Sequence, residues 1–251
     1  MDSMIPWIGG KKRLRKEICN NFPTEKDAFN RYIEVFGGAA WVLFYKNKHA
    51  SFEVYNDVNG ELVNLFRCTK SHPQEVAKEM ELSLISREKF NFHKNQKIED
   101  LTDIQRACRF LYLIKYSFCS DVATFGANNR LLPTGELLTQ VAKRLERVII
   151  ENNSYEKIIK QYDRPDSLFY CDPPYYKTEK FYNVNEIYFV QNDHEKLRNL
   201  LANIKGRFIL SYNDDEYLRD LYKDFNIKGV TRSNNMSAHR GIFKEIIITN
   251  Y

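Results

Sequence analysis

The chain has 251 residues, 43% of them hydrophobic and 28% charged, with a net charge of +5. That length can bury a sizeable core and the balance argues against a disordered or repeat protein, while the mild basicity suits nucleic acid without pointing to it. No apolar run approaches bilayer length and the opening MDSMIPWIGG carries no secretory pattern, so a cytoplasmic monomer is the default expectation.

Residues 6–11 (PWIGGK) predict a loop, followed by a helix over 12–21 that Pro23 stops. Residues 32–36 read as a buried strand, Gly37-Gly38 breaks it, and 39–46 suits a helix. A second strand over 52–55 ends at Asn56-Asp57. Strand, glycine turn, helix, strand is a βαβ unit and implies a parallel sheet. From 59 to about 145 the pattern turns helical. Leu62, Leu65 and Phe66 share one stripe, Pro73 suits a first turn, and Thr102 with Gln105 forms a capping box ahead of Ile104, Ala107, Leu111 and Ile114. Residues 119–133 look like a loop, and Thr134 caps a helix carrying Leu138, Val141 and Leu145. Strands then return at 148–150, 168–171, 208–211 and 244–249, with helices over 193–205 and 215–225. The expected fold class is α/β with a mainly helical insertion: residues 1–58 and 147–251 form one domain and 59–146 the insertion. Five scattered cysteines without a CxxC, and five histidines lying far apart, argue against a disulfide framework and predict no metal site.

Asp172-Pro173-Pro174-Tyr175 follows an apolar strand, which puts it at the carboxyl edge of the sheet, where open α/β folds bind ligands. These residue types suit an exocyclic amino group such as the N6 of adenine, whose lone pair is delocalised into the ring. A carboxylate (Asp172) and a carbonyl (Pro173) can both accept from the NH₂ and favour its pyramidal, nucleophilic form. Two prolines stiffen the turn, and Tyr175 offers a face on which a flipped base can stack. Methyl transfer from a sulfonium donor can then be a direct in-line displacement without a metal or a covalent intermediate. The plainer reading is a turn after a strand.

Glu34-Val35-Phe36-Gly37-Gly38 ends a strand, and its glycines allow backbone to approach a ligand closely or simply make a tight turn. It is not a dinucleotide fingerprint. Asp57, 23 residues after Glu34, can hold ribose hydroxyls or form an Asn-Asp turn. Trp7 can pack on an adenine or anchor the N-terminus. Lys11 can pair with a carboxylate, or, with Lys12 and Arg13, belong to a basic run that meets phosphates or solvent.

Taken in order, these motifs resemble the Dam-type, D12-class N6-adenine DNA methyltransferases: Pro-Trp-x-Gly-Gly-Lys, then Glu-x-Phe-Gly-Gly, Asn-Asp, a helical insertion, Asp-Pro-Pro-Tyr, then FILSYN over 208–213 and a closing EIIITNY. The resemblance spans nearly the whole chain. It implies a Rossmann-like sheet and S-adenosylmethionine as cofactor, with Trp7, Lys11, Glu34, Phe36, Gly37, Gly38, Asp57 and Asp172 at or beside it. It further implies a target-base site at 172–175, an insertion that recognises double-stranded DNA, and a place in restriction–modification. Residues 117–130 do not align with the recognition hairpin of GATC-specific members. Asn128, Asn129 and Arg130 have the chemistry of base-edge readers, and 104–147 holds seven Lys or Arg against three Asp or Glu. Two other readings share these residues: N4-cytosine methylation, and a catalytically silent DNA-binding module. RNA is a further possible substrate.

Overall fold

A computed structural model describes residues 1–24, 29–81, 83–179, 189–233 and 242–251. Its centre is a seven-stranded sheet: β1 (Arg31–Glu34), β2 (Phe52–Asn56), β3 (Val148–Glu151), β4 (Ser167–Cys171), β5 (Arg207–Asn213), β6 (Asn226–Ser233) and β7 (Ile242–Thr249). The spatial order is β3-β2-β1-β4-β5-β7-β6. The first five strands of that order are parallel, and β7 runs antiparallel to both β5 and β6. The chain winds outward from β1 to β3, returns to β4 on the other side of β1, and winds outward again. The boundary between β1 and β4 is therefore the topological switch point, where such sheets open a crevice at their carboxyl ends.

Period-two alternation sends each strand's side chains to two faces. Tyr32, Tyr55, Leu168, Tyr170, Ile209 and Ile247 point into one core. Ile33, Val54, Phe169, Cys171, Leu210 and Ile248 point into the other. Apolar residues therefore follow one another along β4, which is buried throughout, as expected of a parallel strand covered on both sides.

The second core is covered by α7 (Tyr155–Tyr162), α8 (Gln191–Leu201) and α9 (Glu216–Leu221). The first is covered by α1 (Arg15–Asn20) and by five helices between β2 and β3: α2 (Gly60–Ser71), α3 (Pro73–Glu81), α4 (Arg87–Asn95), α5 (Asp103–Tyr116) and α6 (Gly135–Leu145). Leu62, Phe66, Leu111 and Leu138 pack in the same cluster as Tyr32 and Tyr55, so this helical layer and the sheet share one core. The predicted caps form: Thr102 and Gln105 make a reciprocal capping box, and Thr134 accepts from the Leu137 amide.

The predicted helix over 39–46 does not form; only a single 3₁₀ turn, Leu43–Tyr45, is present. Gly38 and Ala40 hold φ of 48° and 57°, outside the helical region. Tertiary bonds keep them there: the Gly38 amide donates to Asp57 and its carbonyl accepts from the Tyr55 hydroxyl, both at 2.8 Å. The helices predicted over 12–21, 193–205 and 215–225 are shorter than expected. Among the described residues no helix is long and apolar enough to cross a membrane.

Candidate active site

A cavity of about 360 Å³ opens at the switch point. The loop ahead of α1 supplies Trp7 and Lys11, the end of β1 supplies Glu34 through Gly38, the end of β2 supplies Asp57, and the end of β4 supplies Asp172, Pro173 and Pro174. All eight residues expected at a cofactor line this one space: Trp7, Lys11, Glu34, Phe36, Gly37, Gly38, Asp57 and Asp172. The helical layer closes it with Arg109 and Phe110 of α5 and with Ser120 to Val122.

Asp172 sits at the centre of a polar network. The Lys11 ammonium straddles its carboxylate, 2.7 Å from Oδ1 and 2.8 Å from Oδ2, and also donates to the Gly9 carbonyl at 2.8 Å. Ser211 of β5 donates to Oδ1 at 2.9 Å, and the Tyr170 hydroxyl lies 3.2 Å from Ser211 Oγ. Burial raises the Asp172 carboxyl above the ordinary range, while Lys11 and Ser211 pull it down. Lys11 is thus spoken for by Asp172, instead of waiting for a ligand carboxylate as its position in the sequence suggested.

Tyr175 also differs from expectation. Its ring is buried, the Lys11 ammonium lies 4.6 Å from the ring centroid, and its hydroxyl donates to Glu245 of β7. It stands behind Lys11 and is not part of the cavity wall. A ring so placed holds the ammonium by a cation–π contact and presents no open face for a base to stack on.

The Gly37-Gly38 pair has a reason the sequence did not suggest. A Cβ at Gly37 would come within 2.2 Å of the Tyr55 ring, and one at Gly38 within 2.9 Å of the Trp7 indole. Aromatic packing, as well as positive φ at Gly38, excludes side chains there. Asp57 accepts from the Gly38 amide through Oδ2 and from the Asn59 amide through Oδ1, each at 2.8 Å. It therefore clamps the turns after β1 and β2 together. Burial raises its carboxyl, against those amide bonds. Burial likewise pushes Glu34 up to about 8, against the Tyr32 hydroxyl and the Leu43 amide that favour its charge.

Several wall residues were not singled out in the sequence. Trp41 lines the cavity with Trp7, so both tryptophans of the chain face it. Glu61 lies on the wall with Oε1 bound to Arg106, and its buried Oε2 finds no hydrogen-bond partner among the described residues. Ser211 falls in the FILSYN segment, but no local pattern shows that its hydroxyl meets Asp172 across two strands. The residues proposed as DNA contacts lie outside the cavity. Lys12 and Arg13 are exposed, and Lys12 bridges to Asp2. Asn128 accepts from the Arg130 amide at 3.1 Å, Arg130 reaches Ser120 at 3.3 Å, and Asn129 is exposed. Among the described residues no group of His, Cys, Asp and Glu is placed to hold a metal ion.

A family model described as D12 class N6 adenine-specific DNA methyltransferase matches residues 7–236. The chain is 28% identical to the Type II methyltransferase M1.LlaDCHI of Lactococcus lactis subsp. cremoris, covering 98% of this chain and 94% of that protein. It is 24% identical to the Type II methyltransferase M.CviBI of Paramecium bursaria Chlorella virus NC1A, covering 100% and 98%. It is 26% identical to a DNA adenine methylase of Haemophilus influenzae, covering 94% and 87%.

Proposed function

The chain belongs to the D12 class N6 adenine-specific DNA methyltransferase family, and from that premise we propose how its cavity performs the reaction. The protein is an adenine-specific DNA methyltransferase, and its donor is S-adenosylmethionine held in the cavity described above. The wall suits that molecule. Trp7, Trp41 and Phe36 offer aromatic faces to an adenine ring and to a sulfonium cation. Asp57 keeps lone pairs for ribose hydroxyls beside its two backbone bonds, and Glu61 Oε2 is a further acceptor. When bound, the cofactor supplies a methyl group activated by the positive sulfur.

The chain's own residues prepare the acceptor. Asp172 and the Pro173 carbonyl take hydrogen bonds from the N6 amino group of an adenine flipped from double-stranded DNA. Lys11 and Ser211 fix the carboxylate so that one lone pair faces the cavity, which keeps the reorganisation needed at the moment of transfer small. Tyr175 holds Lys11 from behind. Residues 59–146 act as the target recognition domain, with Lys12, Arg13, Asn128, Asn129 and Arg130 toward DNA, and the protein works as a monomer. The observation that carries this reading is the place of Asp172 at the switch point, on the cavity wall, with its carboxylate pinned from two sides.

Labelled S-adenosylmethionine and duplex DNA, followed by digestion to nucleosides, test it. Label is expected in N6-methyladenine, and Asp172→Ala is expected to lower transfer by roughly 10²–10³-fold or more while duplex binding persists. Near wild-type transfer by that variant, or label in methylcytosine alone, overturns the proposal.

A further inference from the structure

The segment that leaves Tyr175 is tied down by a buried chain of hydrogen bonds centred on α8. The His194 ring is wholly buried and both of its nitrogens are engaged. Nε2 lies 2.9 Å from Glu179 Oε1, and Nδ1 lies 2.7 Å from the Tyr212 hydroxyl. A carboxylate only accepts, so Nε2 carries the proton and donates to Glu179, leaving Nδ1 to accept from the Tyr212 O–H. The Tyr176 and Phe189 rings meet the imidazole edge to face, at 5.5 and 4.9 Å, which fixes its plane. A wholly buried imidazole among the rings of Tyr176, Phe189 and Tyr212 carries a desolvation cost that an aliphatic side chain would not. Its two bonds are what offsets that cost.

The two ends of this chain flank Asp172. Tyr212 is the residue after Ser211, whose hydroxyl holds the carboxylate. Glu179 lies four residues beyond Tyr175, at the end of a turn in which the Thr178 amide donates to the Tyr175 carbonyl and Lys177 has a φ of 70°. Asn213 and Asp215 hold the same turn from outside, through the Tyr176 carbonyl and the Lys177 ammonium. The Lys177 contact is exposed and the Tyr176 contact partly buried, and the Lys177 amide also donates to Glu179 Oε1 at 3.0 Å; the His194 ring is the wholly buried partner.

We propose that His194 is a positioning residue for methyl transfer: by joining Glu179 to Tyr212 it holds the segment after Pro174 against β5, so that Asp172 and the Pro173 carbonyl keep the spacing the target amino group requires. This rests on the reading of Asp172 and Pro173 as the amino-group site. The chain touches neither substrate nor cofactor, and acts only through the turn it anchors. Its loss therefore falls on the chemical step more than on cofactor binding.

The test uses the full chain, with kcat on duplex DNA, cofactor affinity from tryptophan emission, and melting temperature read for each variant. Glu179→Ala and His194→Ala are each expected to lower kcat by roughly 10- to 100-fold with cofactor affinity within about twofold. The double variant is expected to be no slower than the worse single one, because the first change already breaks the chain. His194→Gln, whose amide can still donate to Glu179, is expected to recover part of kcat. A kcat for Glu179→Ala near that of the wild type, additive losses in the double variant, or equal losses in kcat and cofactor affinity overturn the inference. If His194→Ala does not fold, Glu179→Ala and Tyr212→Phe, which break the chain at its two ends, decide together: both are expected to lower kcat, and a wild-type kcat in either overturns the inference. An active Asp172→Ala would remove the site itself, whereas an inactive Asp172→Ala beside a fully active Glu179→Ala removes only the role of His194.

Discussion

Asp172 lies between a cation and a hydroxyl. Both oppose the effect of burial on the carboxyl, Lys11 more strongly; Lys11 contacts both oxygens and Ser211 holds Oδ1. Lys11→Ala leaves a buried carboxylate without its cation, so it is expected to slow transfer strongly and to shift the acidic limb of the residual pH–rate profile upward, because the carboxyl then titrates higher. A limb that stays in place would mean that Lys11 does not act through Asp172. Gly38 offers a second check at this scale. Gly38→Ala forces a Cβ against the Trp7 indole at positive φ, a strain of about 1–3 kcal/mol. It is expected to lower the melting temperature and to weaken cofactor binding together, since Trp7 must shift. Unchanged tryptophan emission in that variant would contradict the packing. The Asp-Pro-Pro-Tyr motif was legible because its residue types are chemically unusual in a row. The burial of Tyr175 was not, because nothing local reveals that Glu245 comes within reach from a strand 70 residues away.

At the scale of elements, a buried ion pair helps to fasten the helical layer to the sheet. Arg144 of α6 makes a bidentate contact with Glu53 of β2, at 2.8 and 2.9 Å, and also donates to the Leu43 and Lys46 carbonyls. Both side chains are 6% exposed. Arg144→Ala strands the Glu53 carboxylate and is expected to cost about 3–5 kcal/mol in urea unfolding, much of it recovered when Glu53 is also replaced by an apolar residue. A loss below about 1 kcal/mol, as for an exposed pair, would show that water reaches the site. Three elements escape the sequence reading. The β6 stretch, NIKGVTRS, is polar because it is the edge strand, and its pairing with β7 comes from the backbone. Helix α7 is short, though its Ser154 cap and the buried Ile158-Ile159 pair are a readable signal. Helix α4 buries only Phe90, too little for a periodic pattern to stand out.

For the whole molecule, two buried groups set opposite pH dependences. Burial holds His49 down at about 4, so its contribution to stability is full above its unfolded value near 6.5 and is lost as pH falls from there toward 4. Glu34 is held up at about 8: the folded state keeps a proton that the unfolded state releases above about 4.5, so this contribution is present at low pH and is lost as pH rises toward 8. Melting curves of Glu34→Gln are therefore expected to lie progressively further above those of the wild type as pH rises from 5 to 8. A constant gap across that range would show that Glu34 is ionised in the folded protein. The placement of both tryptophans on the cavity also predicts that S-adenosylmethionine changes the intrinsic emission in a saturable way before any DNA is added.

The linear chain was sufficient to establish an α/β protein with helices between two strand regions, the capped starts of α5 and α6, and the small set of residues that would gather at a sheet edge. Those features follow from periodicity, capping chemistry and unusual residue types, all of which act over a few neighbours. Only the tertiary structure decided that Lys11 faces Asp172, that Ser211 meets the same carboxylate, that His194 links Glu179 to Tyr212, that Tyr175 lies behind the wall, and that residues 39–46 forgo a helix. Each of these depends on partners brought together from distant positions, where a hydrogen bond or a ring contact outweighs the weaker local preference of the chain.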